Sequence, residues 1–425
     1  MVDRANKQGA RRPPGVIVAA VGTCIMALGL AISDVHSGSI SRPVPVSPAI
    51  QELRRHILDA EVNTLTFHSM DSIFETRVVP RSGPVWDLPR RDAALDFRYE
   101  FDGKTHPASD VLEGDFTNAL LIMKQGRIVY EKYLNNTNED TRFISFSMAK
   151  SFLSTLIGIA VADGSIHSLD DQLTVYIPEL KGSGYEGVTI RQTLQMRSAV
   201  EYEERYDFGE HKSQAQQVFE NALVQNTERF TSMAPSLKRS KPPGGAFNYS
   251  TMDTAVLGWM LERAIKRPVA GYMSERLWQP LGMEANGFYI ADGPPGVGRE
   301  LTGMGFNATL RDYGRFGLMM LHGGRGGPRD VQILPAEWVH LSTQSADIGP
   351  GKMPGAIRLG YGYQWWTLAG TPAYLALGLQ GQMIYVDPST DTLVVKLSFD
   401  PPGNIAAEAE AIAFMAAASR WKPND

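Results

Sequence analysis

The apolar and polar positions along the chain divide it into a short head, a polar stretch and a long patterned body. Arg4, Lys7, Arg11 and Arg12 precede an uncharged, mostly apolar run from Gly15 to Ile32. A basic segment followed by an apolar one is the pattern of an export signal or a membrane anchor, so residues 1–36 are expected to act as one or the other. Residues 37–48 are dominated by Ser, Pro and Gly and predict an extended linker, and residues 37–80 as a whole read as linker and N-terminal extension. From Asn118 the apolar run Ala119–Met123 predicts a strand, Gln125-Gly126 a turn, and Ile128–Tyr130 the second strand of a hairpin. Ser151–Ala162 is apolar almost all round with Gly164 just past its end, which predicts a helix buried on every side. Between Glu201 and Pro243 the pattern turns polar and irregular, with one helix expected there. Thr254–Ile265, Leu310–Leu321 and Ala406–Arg420 predict helices, and Tyr374–Leu377, Met383–Val386 and Leu393–Leu397 predict strands. Two strands early and three late, with helices between and after, point to one sheet assembled from both ends of the chain.

Composition narrows the function classes. With 43% apolar and 20% charged residues the chain can build a sizeable core, so disorder is not the default. A net charge of −5 without any basic block argues against a nucleic-acid surface. The single cysteine, Cys24, excludes internal disulfides and cysteine zinc sites. The eight histidines are scattered with no His-Glu-x-x-His, which disfavours a metallohydrolase, and the lack of Gly-x-Ser-x-Gly disfavours an α/β-hydrolase. No cofactor is implied.

Ser147-Met148-Ala149-Lys150 is the strongest chemical feature. A serine hydroxyl is a weak nucleophile and needs an adjacent base. A spacing of three puts both side chains on one helix face, with Ser147 in the first turn, where free backbone N–H groups favour a developing oxyanion. Lys150, carried by an apolar helix, is placed to lose its proton more easily than an exposed lysine. The bland alternative is a serine cap with a solvated lysine. Ser419-Arg420-Trp421-Lys422 repeats the spacing at the frayed end of the last helix, where nothing supports a site. Tyr249 follows a Pro/Gly loop and stands just before a helix, with Ser250-x-x-Asp253 resembling a capping box. Beside a lysine its hydroxyl is expected to titrate low and to pass protons to a leaving group, although such a tyrosine is more often packing. Ala376-Leu377-Gly378-Leu379-Gln380-Gly381-Gln382 places glycines at a strand edge, where a substrate backbone can approach and the N–H of Leu379 can serve as a second oxyanion donor opposite that of Ser147. Taken alone, that segment reads as a bulge or hairpin turn.

In order and spacing these three elements resemble the Ser-x-x-Lys, Tyr-x-Asn and Lys-Thr-Gly elements of the serine β-lactamase and penicillin-binding-protein superfamily. The likeness extends through Leu169-Asp170-Asp171, Tyr176-Ile177-Pro178-Glu179 and Leu277–Met283. Thr309–Tyr313, Gly360–Trp366 and Gly381-Gln382 are similar to its 6-aminohexanoate-dimer hydrolase branch. The resemblance implies an α/β (α+β) fold over residues 81–425, with an antiparallel sheet flanked by helices plus a mainly helical subdomain. It implies Ser147, Lys150 and Tyr249 as catalytic residues, with Thr251, Gly378, Leu379, Gly381 and Gln382 as oxyanion or substrate-binding positions. The reaction implied is acyl transfer through an acyl-enzyme on a small-molecule ester or linear amide. Thr251 stands where class C β-lactamases carry asparagine, a position at which the resemblance admits serine or threonine, and Ala376-Leu377-Gly378 replaces Lys-Thr-Gly, which removes the basic residue that would meet a β-lactam carboxylate. The alternatives are a DD-peptidase or β-lactamase, or an inert penicillin-binding-type module that binds peptidoglycan or a protein partner.

The head of the chain predicts a periplasmic or otherwise extracytoplasmic catalytic domain, with anchoring to the inner membrane as one form of it. A periplasm-dependent reporter fused after residue 60 should be active. Activity confined to a cytoplasm-dependent reporter would refute the export reading.

Overall fold

Strands β1 (Thr117–Lys124) and β2 (Arg127–Tyr133) form the expected hairpin, closed by Gln125 and Gly126, both at positive φ (50° and 70°). Two left-handed residues in a two-residue loop match the right-handed twist of the flanking strands. Helix α1 (Ala149–Ala162), helix α2 (Thr251–Ile265) and helix α3 (Leu310–Leu321) follow. The chain then returns to the sheet through β3 (Leu359–Tyr361), β4 (Trp366–Leu368), β5 (Tyr374–Gly378), β6 (Gln382–Asp387) and β7 (Thr392–Ser398). Helix α4 (Ile405–Arg420) ends it. The structure is a computed structural model that describes residues 46–114, 116–205, 213–293, 297–349, 353–354 and 357–423. The apolar run Gly15–Ile32 and the rest of residues 1–36 lie outside the described residues.

The main sheet is antiparallel in the order β3-β4-β5-β6-β7-β1-β2, so the N-terminal hairpin joins the C-terminal strands at β7, with Val395 opposite Leu121. Both faces are covered. Leu121, Met123, Ile384, Leu393 and Val395 face the core shared with α1 and α3, whereas Leu120, Ile122, Met383, Tyr385 and Val394 face Ile412, Phe414 and Met415 of α4. A sheet buried on both faces has near-continuous apolar strands, which is why β1 and β7 read as unbroken runs. Helix α3 approaches closely through Gly314 and Gly317. A Cβ on Gly317 would lie 2.4 Å from Leu393 Cδ1.

Between Ile144 and Gly287 the described elements are all helical, which makes this span the helical subdomain. The irregular Glu201–Pro243 stretch carries a helix at Gln214–Val218 that continues as a wide turn to Val224, and a further tight helical segment at Phe230–Ser236. A second sheet, not read from the sequence, runs Thr76–Val79, Gly287–Asp292, Phe306–Ala308 and Phe143–Ile144.

That second sheet changes the reading of residues 37–80. From Pro48 onward they are an integral part of the fold. Ser47 caps a helix at Pro48–Arg55, and Arg54 is buried, with Nε donating to the Ile73 carbonyl at 2.9 Å and Nη1 to that of Leu223 at 3.0 Å. Thr76–Val79 pairs antiparallel with Gly287–Asp292. The elements here are four to eight residues long, too short for periodicity to reveal them.

Gly317→Val should destabilise the fold by about 1–3 kcal/mol, because the added methyls overpack Leu393 and Ile384. The readout is the urea midpoint, and an unchanged midpoint would contradict the close approach of α3 to the sheet.

Candidate active site

Ser147 lies in a tight helical turn, Phe146–Met148, that runs directly into α1. Phe146 sits at φ 41°, an unfavourable conformation for a residue with a side chain, of order 1–3 kcal/mol. It is held there by its surroundings. The Phe146 ring packs edge-on to Phe67 with centroids 4.8 Å apart, and Ser145 N–H donates to the Phe306 carbonyl at 2.8 Å. The strained residue turns Ser147 out of an otherwise buried segment, leaving it half-buried at the floor of a cleft of about 600 Å³.

Lys150, one turn along and 1% exposed, donates from Nζ to Ser147 Oγ at 2.9 Å, to Thr251 Oγ1 at 3.0 Å and to the Gly303 carbonyl at 2.8 Å. Burial disfavours its charged form and pulls its pKa down to about 8, against the opposing pull of Glu204. Tyr249 is half-buried in the cleft wall, its ring stacked on Trp366 at 5.5 Å, with Lys150 Nζ 4.9 Å from its centroid. Its side chain lines the same cleft as Ser147, whose proximity pulls the Tyr249 pKa down. The expected lowering of its pKa is not found. Burial, and then Glu204, push it well up, outweighing the lowering by Ser147. Tyr249 is therefore a phenol that donates, and Lys150 is the group that can be neutral near physiological pH.

Thr251 is placed by α2, whose first turn is capped by Ser250 Oγ accepting from Asp253 N–H at 3.2 Å. The capping box is only half formed. The Asp253 carboxylate instead accepts from Tyr185 at 2.9 Å and Ser198 at 3.0 Å, and burial raises its pKa to about 7. Glu204, which the sequence reading left inside an irregular polar stretch, grips Thr251 twice. Its Oε1 accepts from the Thr251 hydroxyl at 2.6 Å, and its Oε2 accepts from the Thr251 N–H. No spacing rule links residues 47 apart, so no signal in the sequence pointed to it.

Gly378 and Leu379 line the same cleft as Ser147, Tyr249 and Thr251. A Cβ on Gly378 would lie 2.2 Å from the Ser145 carbonyl oxygen, so the strand can reach the nucleophile turn only with glycine here. Among the described residues, the N–H groups of Ser147 and Leu379 have no backbone acceptor, as an oxyanion site requires. Gly381 and Gln382 are elsewhere. Gly381, at φ 85°, makes the β5–β6 turn against Asp400, and the buried Gln382 side chain bonds the Ser398 carbonyl at 2.7 Å and its N–H at 3.2 Å. They shape the turn beneath the cleft and do not line it. Of the aromatic residues within Gly360–Trp366, Trp366 lines the cleft, while Tyr361, Tyr363 and Trp365 are buried. Ser419 and Lys422 form no pair. Ser419 Oγ donates to the Ala416 carbonyl.

Comparison with known proteins bears on what this cleft is. The beta-lactamase family profile matches residues 116–417, more than half of the chain. The chain belongs to the beta-lactamase family. Within it, a 6-aminohexanoate-dimer hydrolase of Paenarthrobacter ureafaciens is 29% identical over 302 residues, covering 68% of this chain and 74% of the relative. A 6-aminohexanoate-dimer hydrolase-like protein of Bacillus anthracis superposes with a TM-score of 0.76 at 26% identity, over 86% of this chain and 96% of that one. The octameric penicillin-binding protein homologue of Pyrococcus abyssi shares the fold, with a TM-score of 0.52 at 18% identity over 72% of this chain and 75% of that one. This beta-lactamase-family chain is an enzyme, a serine hydrolase, on the branch similar to the 6-aminohexanoate-dimer hydrolases.

Because Lys150 can act as a base only when neutral, kcat/KM for an ester should rise with pH along a limb centred near 8. A flat profile between about pH 6 and 9 would exclude a titrating lysine base.

Proposed function

We propose that this enzyme hydrolyses short esters and linear amides that carry no carboxylate beside the reacting carbonyl, through an acyl-enzyme on Ser147. The observation that carries this reading is the 2.9 Å contact between a buried lysine and a serine that opens onto a cleft. In the first step Ser147 Oγ attacks the carbonyl carbon while its proton passes to the neutral Lys150 Nζ. The carbonyl oxygen becomes an oxyanion received by the N–H groups of Ser147 and Leu379. Tyr249 gives its proton to the departing alcohol or amine and regains one from Lys150. Water then cleaves the Ser147 ester by the same relay run in reverse.

The charge of the cleft supports the substrate class. Among its described lining residues there is no lysine, arginine or histidine, and the acidic side chains are Glu204 and Glu408, the latter with its pKa raised by burial to about 7. Ala376, at the position of the missing lysine, is 1% exposed in the core, and Leu377 is the neighbour that reaches the cleft. A substrate carboxylate would find no lysine, arginine or histidine to pair with among the described lining residues. An unpartnered buried carboxylate costs several kcal/mol, a loss of roughly 10²-fold or more in transition-state binding. A neutral ester escapes that cost, and a linear aminohexanoate dimer keeps its one carboxylate a full aminohexanoyl chain away from the reacting carbonyl. We also propose, from the basic-then-apolar residues 1–36 alone, that the enzyme works outside the cytoplasm.

Specificity constants for p-nitrophenyl butyrate, a linear aminohexanoate dimer and a chromogenic cephalosporin should place the cephalosporin last. A cephalosporin value above the other two would overturn the substrate assignment. Ser147→Ala should abolish all three activities in a folded protein, and near-wild-type turnover by that variant would overturn the mechanism.

A further inference from the structure

We infer that Glu204 is a positioning residue that aims the lone pair of neutral Lys150 at Ser147. The inference rests on the proposed roles of Ser147 and Lys150 and assigns to the same site a carboxylate from a distant loop. The reasoning is a count of protons. Neutral Lys150 has two N–H bonds and one lone pair, and its three neighbours are Ser147 Oγ, Thr251 Oγ1 and the Gly303 carbonyl. A lone pair needs a donor. The Gly303 carbonyl has no hydrogen to give. Thr251 has one hydroxyl hydrogen, and it is committed to Glu204 Oε1 at 2.6 Å. A carboxylate only accepts, so this bond runs in one direction. The second bond, from the Thr251 N–H to Oε2, stops the carboxylate from swinging away. Ser147 is then the one neighbour left to donate to Lys150, and donation along that line is the proton path the reaction needs. Lys150 in turn spends its two N–H bonds on Thr251 and Gly303.

Tyr249 fits the same order. Burial keeps its hydroxyl protonated and it lines the same cleft as Ser147, so it is available to donate to the Ser147 oxygen while Ser147 donates to Lys150. Without Glu204, the Thr251 hydroxyl would be free to turn toward Lys150 and compete with Ser147 for the lone pair. The carboxylate has a second effect of known sign. It faces Lys150 across Thr251 and favours the ammonium form, opposing burial. Removing its charge should move the titration of Lys150 to lower pH. Glu408, also in the cleft lining, and Asp253 and Tyr249 nearby remain in place in such a variant.

The test is Glu204→Gln, assayed as the full pH profile of kcat/KM with p-nitrophenyl butyrate. A glutamine amide can donate to Thr251, which frees the threonine proton to turn to Lys150. The plateau should fall by about tenfold or more, within the usual range for a mispositioned general base, and the ascending limb should move below its wild-type position. Glu204→Asp, which keeps the charge, should move the limb less than Glu204→Gln does, and it carries the comparison if the glutamine variant does not fold. In a Thr251→Val background, where no hydroxyl remains to be directed, Glu204→Gln should cost clearly less of the plateau than it does alone. A folded Glu204→Gln enzyme with the wild-type limb and plateau would overturn the inference while leaving the Ser147 mechanism standing. Activity that survives Ser147→Ala would instead overturn the mechanism itself.

Discussion

The site depends on one constraint, the burial of the Lys150 amine. A lysine in water is an ammonium and cannot take a proton from serine. Inside this fold its solvation is replaced by three contacts, and its pKa falls to about 8. The surrounding structure can be read as what is needed to impose that burial. Helix α1 carries Lys150 through the core, buried from Ala149 to Ala160. Helix α2 brings Thr251 from one side, and the Gly303 carbonyl approaches from another, so the polar contacts come from separate parts of the chain. Lys150, Thr251 and Gly303 are all buried. Lys150 is thus held between forms rather than locked as a cation, as a general base near neutrality must be.

The nucleophile turn is held from the opposite side. Phe146 adopts a backbone conformation that nothing local favours, and it persists because the Phe67 ring, the Phe306 carbonyl and the β5 edge surround it. Gly378 lets that edge come within contact of Ser145, and the same approach brings Leu379 into the lining of the cleft onto which Ser147 opens. A larger residue at 378 would push the β5 edge, with Leu379, away from the Ser147 turn. This is strain balanced by packing at a functional site, a recurring arrangement in enzymes.

The chain order of chemistry was legible in the sequence because its signals are local. Ser147 and Lys150 are one helical turn apart, Tyr249 and Thr251 bracket a helix start, and the strands of the main sheet are long apolar runs. Helices Leu310–Leu321 and Ile405–Arg420 match their periodic segments within a residue. What escaped is non-local or short. β3 and β4 are three residues each, rich in Gly, Tyr and Trp without clear alternation. The second sheet gathers strands from residue 76 to residue 308, and no window along the sequence spans that distance. Glu204 reaches Thr251 through an irregular loop. The direction of the Tyr249 shift is not legible in the sequence, because a neighbouring lysine can be inferred from spacing, whereas the desolvation that raises the pKa cannot. Gly381 and Gln382 were taken for substrate contacts on resemblance, but a one-residue step along a tight turn points them at Asp400 and Ser398 instead.

Lysine labelled with ¹³C at Cε, incorporated into the full-length enzyme and assigned with a Lys150→Arg control, allows the Lys150 amine to be titrated directly by NMR. The account predicts a midpoint close to 8 in the resting enzyme. A midpoint near the ordinary lysine value of about 10.4 would contradict it, because an amine that stays charged there cannot be the base for Ser147.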